Sequence, residues 1–221
     1  MASRPRLIGP SKRRHMSLTT MIRLGGLASI VGGCCLAAFV LVHPWDQLLG
    51  AAIAQTVRWQ TAHALHFVGA MFALLGLLGI FARQREQLGS FGLLGFILSF
   101  IGNAMFLGTG MITAFIWPML AVHAPATVEP GVAIFGWPHS VLAFALTAVV
   151  LSTGYVLFGV AMVRVGAFPR LSIFMLVTGA ILGMLPPRPM GVLPWGGLVF
   201  GGVLYGAALV WIGSILWAEN S

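Results

Sequence analysis

The sequence predicts an all-α polytopic membrane protein with six transmembrane helices, paired along the chain as three helical hairpins. Three observations support this fold class. Of the 221 residues, 59% are hydrophobic and only 7% are charged, which excludes a disordered chain and argues against a water-soluble globule. The chain divides into six apolar segments with short polar connections. When those segments are taken as spans, ten of the twelve Lys and Arg residues fall on one side of the membrane.

Each predicted span has the roughly 20 apolar residues that a bilayer core requires, except the fifth, which is short. The third is long enough to tilt or break. The predicted spans are 21–42, 60–81, 89–117, 137–163, 171–185 and 195–217. They define a basic tail at 1–20, one six-helix transmembrane domain at 21–217 and a C-terminal tail at 218–221. Met1, Met16 and Met21 are alternative start residues.

The distribution of positive charge orients the bundle. If the N-terminus is inside, the outer segments carry only Arg58 and Arg188, and the positive-inside rule places both termini in the cytoplasm. Tryptophans then mark the outer interface: Trp45, Trp59, Trp117, Trp137 and Trp195. The basic residues lie in a tail and at helix ends, so they predict contacts with anionic lipid of the bilayer and not with nucleic acid.

Small residues recur at a spacing of four, the pattern by which helices pack closely in membranes. The first span carries Gly25, Ser29, Gly33 and Ala37, and the sixth carries Gly197, Gly201, Gly202 and Gly206. We expect these stripes to pack the bundle internally. The sixth span, whose glycines lie on more than one face, is the best candidate for a homo-oligomer seam or for contact with a partner in a membrane complex.

A weak internal repeat accompanies the hairpin pattern. Gly69 and Gly76 of the second span are echoed by Gly206 and Gly213 of the sixth at the same separation. The echo suggests that the hairpins are related to one another.

Carboxylates are absent from every predicted span. The four acidic residues all lie at loops or ends: Asp46, Glu86, Glu129 and Glu219. Ion-coupled carriers usually rely on an intramembrane carboxylate, and paired-carboxylate catalysis and carboxylate metal sites need the same groups. The sequence therefore favours a non-enzymatic protein. Facilitated diffusion of an uncharged solute stays open because it needs no carboxylate.

Histidines gather at the outer ends of the predicted spans: His43, His63, His66, His123 and His139. His63 and His66 share one face of the second span, and His139 begins the fourth at a depth within about 3 Å of His63. A b-type haem needs two axial histidines from different helices, and His63 and His139 are the candidate ligands, with His66 one turn deeper. A copper site that adds Met111 and Met119 is an alternative, as are histidines that are simply hydrated.

A second polar line runs through the third span. Asn103 lies near mid-membrane, and Thr109 and Thr113 are four residues apart on one face. Asn in a membrane prefers a partner on another helix, whereas Thr bonds back to its own helix. Asn103 is therefore either an interhelical clasp or part of a polar vestibule that runs inward from the histidines.

Short motifs give a resemblance over the first five spans. They are Trp-Gln-Thr-Ala-His-Ala-Leu-His at 59–66, Phe-Ala-Arg-Gln-Arg-Glu at 81–86 and Phe-Pro-Arg at 168–170. With these motifs the chain resembles a loose group of small bacterial six-span integral membrane proteins of uncharacterised function. The resemblance implies a bacterial cytoplasmic (inner) membrane and no activity or residue role.

The functional hypothesis at this point is an accessory subunit or a binder of a small or lipophilic ligand, acting through the outer His-rich vestibule. The vestibule would be formed by Asn103, Thr109 and Thr113 below the histidines. A haem b redox protein and a facilitator of an uncharged solute are the alternatives.

Overall fold

The computed structural model describes residues 17–45, 50–129, 138–185 and 196–218, and within those ranges the secondary structure is helical without a strand. The helices are α1 (Leu18–Val42), α2 (Ala51–Ala54), α3 (Val57–Gln84), α4 (Gly89–Met111), α5 (Trp117–His123), α6 (Pro138–Val165), α7 (Arg170–Leu182) and α8 (Gly196–Ala218). A π-helical segment, Ile112–Ile116, joins α4 to α5, and a 3-10 turn follows at Pro125–Val128. The all-α class is confirmed. Trp137, Trp195, Arg188 and most of the two predicted tails lie outside the described residues.

Five helical stretches are long and apolar enough to cross a membrane: Leu18–Val42, Val57–Gln84, Gly89–His123, Pro138–Val165 and Gly197–Ala218. Their ends agree with the predicted spans to within about one helical turn, except that the third runs beyond Trp117 to His123. α7 has 13 residues. Such a helix rises only about 20 Å, less than the roughly 30 Å of a bilayer core.

The six longer helices form a closed ring. Along the chain, α1, α3, α4, α6, α7 and α8 each pack against the next, and α8 packs back against α1. Neighbours run antiparallel: Gly25 meets Gly79 near the start of α1, whereas Gly69 meets Leu36 nearer its end. Helix directions therefore alternate around the ring.

This alternation gives the bundle two chemically different ends. One, the basic end, gathers described arginines at the starts of α1 and α7, at the ends of α3 and α6 and in the turn after α3: Arg23, Arg83, Arg85, Arg164 and Arg170. The other, the histidine end, gathers His43, His63, His66, His123 and His139, together with Arg58.

α1 is held between α3 and α8 through glycine contacts on two faces. A methyl group added at Gly25 would meet the backbone of Gly79 on α3, and one at Gly33 would meet the carbonyl of Gly206 on α8. The stripe predicted on the first span is thus divided between two neighbours. Such close backbone approach replaces the hydrophobic driving force that helices lack in lipid.

The glycines on which the predicted repeat was based all pack against the same helix. Gly69 and Gly76 of α3 pack against α1 from one side, and Gly206 and Gly213 of α8 pack against α1 from the other. The equal spacing of the two pairs therefore matches two helices that flank the same neighbour.

Three of the four glycines that suggested an oligomer seam on α8 are packed inside the chain, and the fourth, Gly197, is exposed with no neighbouring atom within 4 Å of an added methyl group. Gly202 lies against Val40 of α1, and Gly201 lies against Gly183 of α7. The seam itself stays a prediction; Gly201, Gly202 and Gly206 do not supply its surface, whereas Gly197 is open to it.

α4 and α6 form a second tight pair, through Gly95, Gly102 and Gly154. Their outward faces carry large exposed apolar side chains such as Ile97, Ile101, Leu142, Leu146 and Val149. Such faces suit contact with lipid.

The third span, predicted to tilt or break because of its length, is one continuous helical stretch that contains the π-helical segment. The backbone N–H of Trp117 donates to the carbonyl of Ile112, five residues back, and Pro118 follows without an N–H of its own. Proline removes one helical hydrogen bond and crowds the preceding turn, which accounts for the irregular register here.

A candidate binding cavity at the histidine end

The ring encloses a cavity of about 150 Å³ toward the histidine end, and all six longer helices contribute to its wall. Most of the wall is apolar or aromatic: Leu36, Phe39, Trp59, Phe106, Trp117, Phe144, Leu151 and Met184 are among its side chains. The polar side chains that line it are His43, His63, His66, Asn103, Thr109, Thr113 and Tyr205. The described lining residues include no carboxylate and no lysine or arginine.

Aromatic stacking closes part of the histidine end over this cavity. The rings of Trp59 and Trp117 stack with centroids 5.4 Å apart and planes within 3° of parallel. Ala51, Ala54 and Val128 pack against this pair from the connections outside the ring. The cavity is therefore covered on this side by the Trp59–Trp117 stack, which the α3 and α4–α5 helices hold in place.

The π-helical segment has a direct effect on this cover. Because the N–H of Trp117 bonds to Ile112, the carbonyl of Thr113 is released from its usual helical partner. That carbonyl instead accepts a hydrogen bond from the indole Nε1 of Trp59 at 3.0 Å. The irregular turn thus fixes Trp59, a wall of the cavity, in place.

Three histidines lie close together in the wall. His43 follows the end of α1, and His63 and His66 lie one turn apart on α3; all three are buried. The ring centroids of His43 and His63 are 5.1 Å apart in an edge-to-face arrangement. His66 lies between Phe39 and Phe106, with centroid distances of 4.7 and 4.1 Å.

The ring nitrogens of this cluster are buried without hydrogen-bond partners. Both nitrogens of His63, both nitrogens of His66 and Nδ1 of His43 have none within normal hydrogen-bond geometry; the backbone of Phe106 approaches the His66 ring but falls outside that geometry. Leaving a buried polar group unpaired costs about 1–3 kcal/mol, so such groups are uncommon in folded proteins. Each neutral imidazole offers one donor and one acceptor to a molecule that enters the cavity.

His43 lies just beyond α1 and is the member of the cluster nearest to a positive charge. Arg58 holds this turn by donating from Nε to the carbonyl of Val42 at 2.8 Å. Burial, and secondarily the Arg58 guanidinium, lowers the pKa of His43 to about 4. His43 is therefore neutral at physiological pH.

The inner limit of the cavity is a closed hydrogen-bonded triangle. Asn103 donates from Nδ2 to the hydroxyl of Tyr155 at 2.9 Å, and Tyr205 donates its hydroxyl hydrogen to Oδ1 of Asn103 at 3.1 Å. The two tyrosine hydroxyls bond to each other, which leaves Tyr155 as donor to Tyr205. The second Nδ2 hydrogen of Asn103 goes to the carbonyl of Ser99 at 2.7 Å. This clasp joins α4, α6 and α8.

The two threonines line the cavity with their hydroxyls already engaged. Thr109 donates to the carbonyl of Met105 at 3.3 Å, and Thr113 donates to the carbonyl of Thr109 at 2.9 Å. Hydroxyls bonded back to their own helix retain only acceptor capacity. A ligand therefore finds its free donors on the histidines.

The structure brings most of the predicted site residues together. His63, His66, Asn103, Thr109 and Thr113 all line the one cavity. His139 does not: it is exposed at the start of α6 and is absent from the lining.

The arrangement does not suit a haem. Axial ligands must face each other across a porphyrin. His63 and His66 share one helix face, the 5.1 Å between the centroids of His43 and His63 leaves no space for a macrocycle, and His139 lies outside the cavity.

The arrangement does not suit a copper site either. Met111 and Met119 are 48% and 50% exposed and do not line the cavity. Within the described ranges, no group of three or more His, Cys, Asp or Glu side chains is placed to hold a metal ion.

Two residues of the site carry a weak signal in the sequence. The sequence predicts a loop position for His43 because it follows the last apolar residue of its span and precedes Pro44. Tyr205 reads as an isolated aromatic in a glycine-rich helix. Its position three residues after Gly202 and one before Gly206, on a face that must pack closely, is the signal that would have placed it inside.

No protein-family model, no curated protein and no solved structure matches this chain. The class of this protein is therefore described by its fold and its cavity. It is an all-helical protein with five helices suited to crossing a membrane and an aromatic cavity with unpaired imidazoles between them.

Proposed function

We propose that this protein is a non-enzymatic membrane protein that binds a small, uncharged, lipophilic ligand in the cavity at the histidine end. The observation that carries the proposal is the set of buried ring nitrogens on His63 and His66 that have no hydrogen-bond partner. A protein tolerates that cost where a molecule supplies the missing partners.

The proposal includes six crossings in a bacterial inner membrane, with the basic end and both termini in the cytoplasm. The alternating directions around the ring support a sixth crossing by α7, and the excess of arginine at one end supports the orientation. The short α7 would be accommodated by local thinning of the bilayer or by residues beyond its end.

The size of the cavity limits the ligand. An apolar cavity of about 150 Å³ accepts a molecule the size of a single benzene ring. The aromatic wall, in which Phe39 stacks on His66 and Phe106 lies against His66 at a tilt of 42°, suits a planar ring. A larger ligand would place one ring here and leave its remainder outside.

The chemistry of the wall limits the ligand further. The described lining has no carboxylate to neutralise a cation and no lysine or arginine to neutralise an anion. Charged molecules would pay the full cost of desolvation, so an uncharged one is favoured. Neutral imidazoles supply both donors and acceptors, which suits a ring that bears a hydroxyl or carbonyl group.

Facilitated diffusion, the transport alternative, would need a path beyond the cavity. The clasp of Asn103, Tyr155 and Tyr205 lies across that path, and its hydrogen-bonding groups are mutually engaged. This is why we favour binding over passage. Flux of small uncharged solutes into proteoliposomes measures the alternative directly.

The test compares two molecules of nearly equal shape, 4-methylphenol and toluene, in a titration of tryptophan fluorescence with the full chain in neutral detergent. We expect 4-methylphenol to bind about tenfold more tightly, because one added hydrogen bond contributes about 1.4 kcal/mol. In the double variant His63→Leu, His66→Leu the difference should vanish while toluene still binds.

The matched control is His139→Ala, which alters a histidine of the same end that does not line the cavity. It should leave both affinities unchanged. Equal binding of the two molecules by the wild type, or equal losses in the control and the double variant, would contradict the proposal.

A further inference from the structure

His63 and His66 offer more hydrogen bonds than a single hydroxyl group completes. Both ring nitrogens of each residue are buried without a partner in normal hydrogen-bond geometry. A neutral imidazole has one acceptor nitrogen and one donor N–H, so the pair presents two acceptors and two donors. A single hydroxyl has only one hydrogen to donate and therefore leaves one of the two acceptors unpaired.

The two rings meet the cavity from the same side. His63 and His66 lie three residues apart on α3, which places them on one helix face. Their ring centroids are 6.1 Å apart, and both side chains line the cavity. Ligand groups that bond to both histidines at once must therefore point toward the same wall.

Aromatic neighbours restrict how a ligand reaches these rings. Phe39 stacks on His66 with centroids 4.7 Å apart, and Phe106 lies against the same ring at 4.1 Å. Trp59 lies 4.1 Å from the ring of His63. Because aromatic rings lie against both imidazoles, a ligand meets them at their edges. The donor and acceptor directions of an imidazole lie in the ring plane and leave through those edges.

The cavity admits a single ring beside this pair. Its volume is about 150 Å³, close to that of an apolar cavity that accepts benzene. Two hydroxyls on one such ring point most nearly in the same direction when they are on neighbouring carbons. Two hydroxyls at opposite ends of the ring point in opposite directions, so only one of them reaches the histidine wall.

We propose, as a refinement that rests on the function proposed above, that the ligand carries an aromatic ring with hydroxyls on neighbouring carbons, as in catechol. One hydroxyl donates to the acceptor nitrogen of His63 and the other to that of His66. Phenolic hydroxyls stay protonated at neutral pH, which suits a described lining without charged side chains. Any larger substituent of the ring lies outside the cavity.

The experiment compares two isomers, catechol and hydroquinone, by isothermal titration calorimetry of the full chain in neutral detergent at neutral pH. The isomers contain the same atoms, with adjacent hydroxyls in catechol and opposite hydroxyls in hydroquinone, so the costs of desolvation are similar. Oxygen is excluded because both compounds oxidise in air, and titration into detergent alone supplies the blank. We expect catechol to bind about tenfold more tightly, the effect of one additional hydrogen bond. Equal affinities, or tighter binding of hydroquinone, would overturn the proposal.

The comparison of 4-methylphenol with toluene separates this result from the function proposed above. A preference for 4-methylphenol without a preference for catechol would leave a cavity that binds one hydroxyl and would overturn the paired site alone. The absence of both preferences would overturn the proposed function together with the paired site.

Single variants test whether both histidines take part. His63→Leu and His66→Leu should each abolish the preference for catechol over hydroquinone. Each should still prefer 4-methylphenol to toluene through the histidine that remains, which also shows that the variant folds. Retention of the isomer preference in either variant would overturn the pairing of the two residues.

His43 is the third imidazole of the cluster, and the centroid of its ring lies 5.1 Å from that of His63. It follows the end of α1 and does not share the helix face of the pair. His43→Gln should therefore keep the preference for catechol. Loss of the preference in His43→Gln but not in His66→Leu would overturn the assignment to His63 and His66.

The matched control is Thr109→Val. Thr109 lines the same cavity, but its hydroxyl already donates to the carbonyl of Met105. The variant keeps the shape of the wall and both histidines, so the preference for catechol should be unchanged. An equal loss of preference in this control would show that the histidines are not its source and would overturn the proposal.

Discussion

The bundle holds two groups of buried polar side chains that satisfy their hydrogen bonds in opposite ways. In the clasp, Asn103, Tyr155 and Tyr205 come from three helices, and every donor has an acceptor. In the histidine cluster, His63 and His66 come from one helix, and none of their ring nitrogens has a partner. The comparison separates a group that joins helices from one whose hydrogen-bonding capacity is unused, although Asn103, Tyr205 and both histidines line one cavity.

The difference follows from how each group is assembled. A closed cycle needs equal numbers of donors and acceptors that converge from different directions, which Asn103 and the two tyrosines supply. The histidines are surrounded by aromatic rings, and an aromatic face offers no lone pair to an N–H. The burial of the two groups is similar, so burial alone does not tell a structural role from a binding one.

The largest expected effect is on the pH dependence of stability and comes from His43. Its folded pKa of about 4 lies below the ordinary value of 6.5, so the fold stabilises the neutral form. That stabilisation is fully present above pH 6.5 and is lost as pH falls toward 4. The difference in pKa corresponds to about 3 kcal/mol in the free energy of unfolding.

The measurement for His43 is the unfolding free energy in detergent between pH 7 and pH 4. His43→Gln has no titrating group, so its stability should fall less over this range. Arg58, His63 and His66 surround the same turn and are present in both proteins, and because His43 interacts electrostatically with all three, the difference reports His43 together with that coupling. Identical pH profiles for the two proteins would mean that His43 is not held neutral by the fold.

The second effect concerns the clasp. Asn103→Leu should lower the unfolding free energy by about 2 kcal/mol, because it leaves the Tyr155 and Tyr205 hydroxyls buried with one partner fewer. Thr109→Val, which removes a hydroxyl bonded only to its own helix, is the control and should change stability by less than about 0.5 kcal/mol. Equal losses in the two variants would remove the distinction between the clasp and the other polar residues of α4.

The smallest effect has the opposite sign. In the absence of ligand, His63→Leu should raise the unfolding free energy by about 1 kcal/mol, since it replaces an unpaired buried imidazole with an apolar side chain of similar size. Thermal unfolding of the two purified proteins provides the comparison. A loss of stability in this variant would show that the His63 nitrogens already have partners in the unliganded protein.

Much of the architecture was predictable because the bilayer restricts the available structures. Apolar length gives the spans, and the ends of the long helices follow the prediction to within about one turn, except that the third runs on to His123. Asn103 could be predicted as a clasp because an amide in lipid needs a hydrogen-bond partner. The residues that bond to it could not be predicted. The placement of His63 and His66 on one inward face follows from their spacing.

The rotation of a helix about its own axis was harder to predict. α6 is apolar around most of its circumference, so nothing in its sequence indicates which face turns inward. His139 matches His63 in depth by counting residues, yet it is exposed and outside the lining. Met111 and Met119 are also exposed, and their orientation was difficult to predict for the same reason.

His43 shows a second limit. Its burial depends on the turn after α1, where Arg58 from another helix holds the backbone and Trp45 packs its ring 3.8 Å from that of His43. The Arg58 contact joins residues 16 apart along the chain, and no local pattern indicates it. Sequence periodicity describes helices well and the turns between them poorly.

The position of α1 between α3 and α8 has a consequence for how the protein is made. One glycine face of α1 meets α3, the next long helix along the chain, but the other meets α8, which follows all the other described helices. At ordinary rates of synthesis, roughly 170 residues of delay correspond to about 10–30 s. During that interval the face of α1 around Gly26 and Gly33 lacks its partner helix. The ring closes only after α8 has been synthesised, so a chain that stops before α8 leaves one face of α1 unpacked.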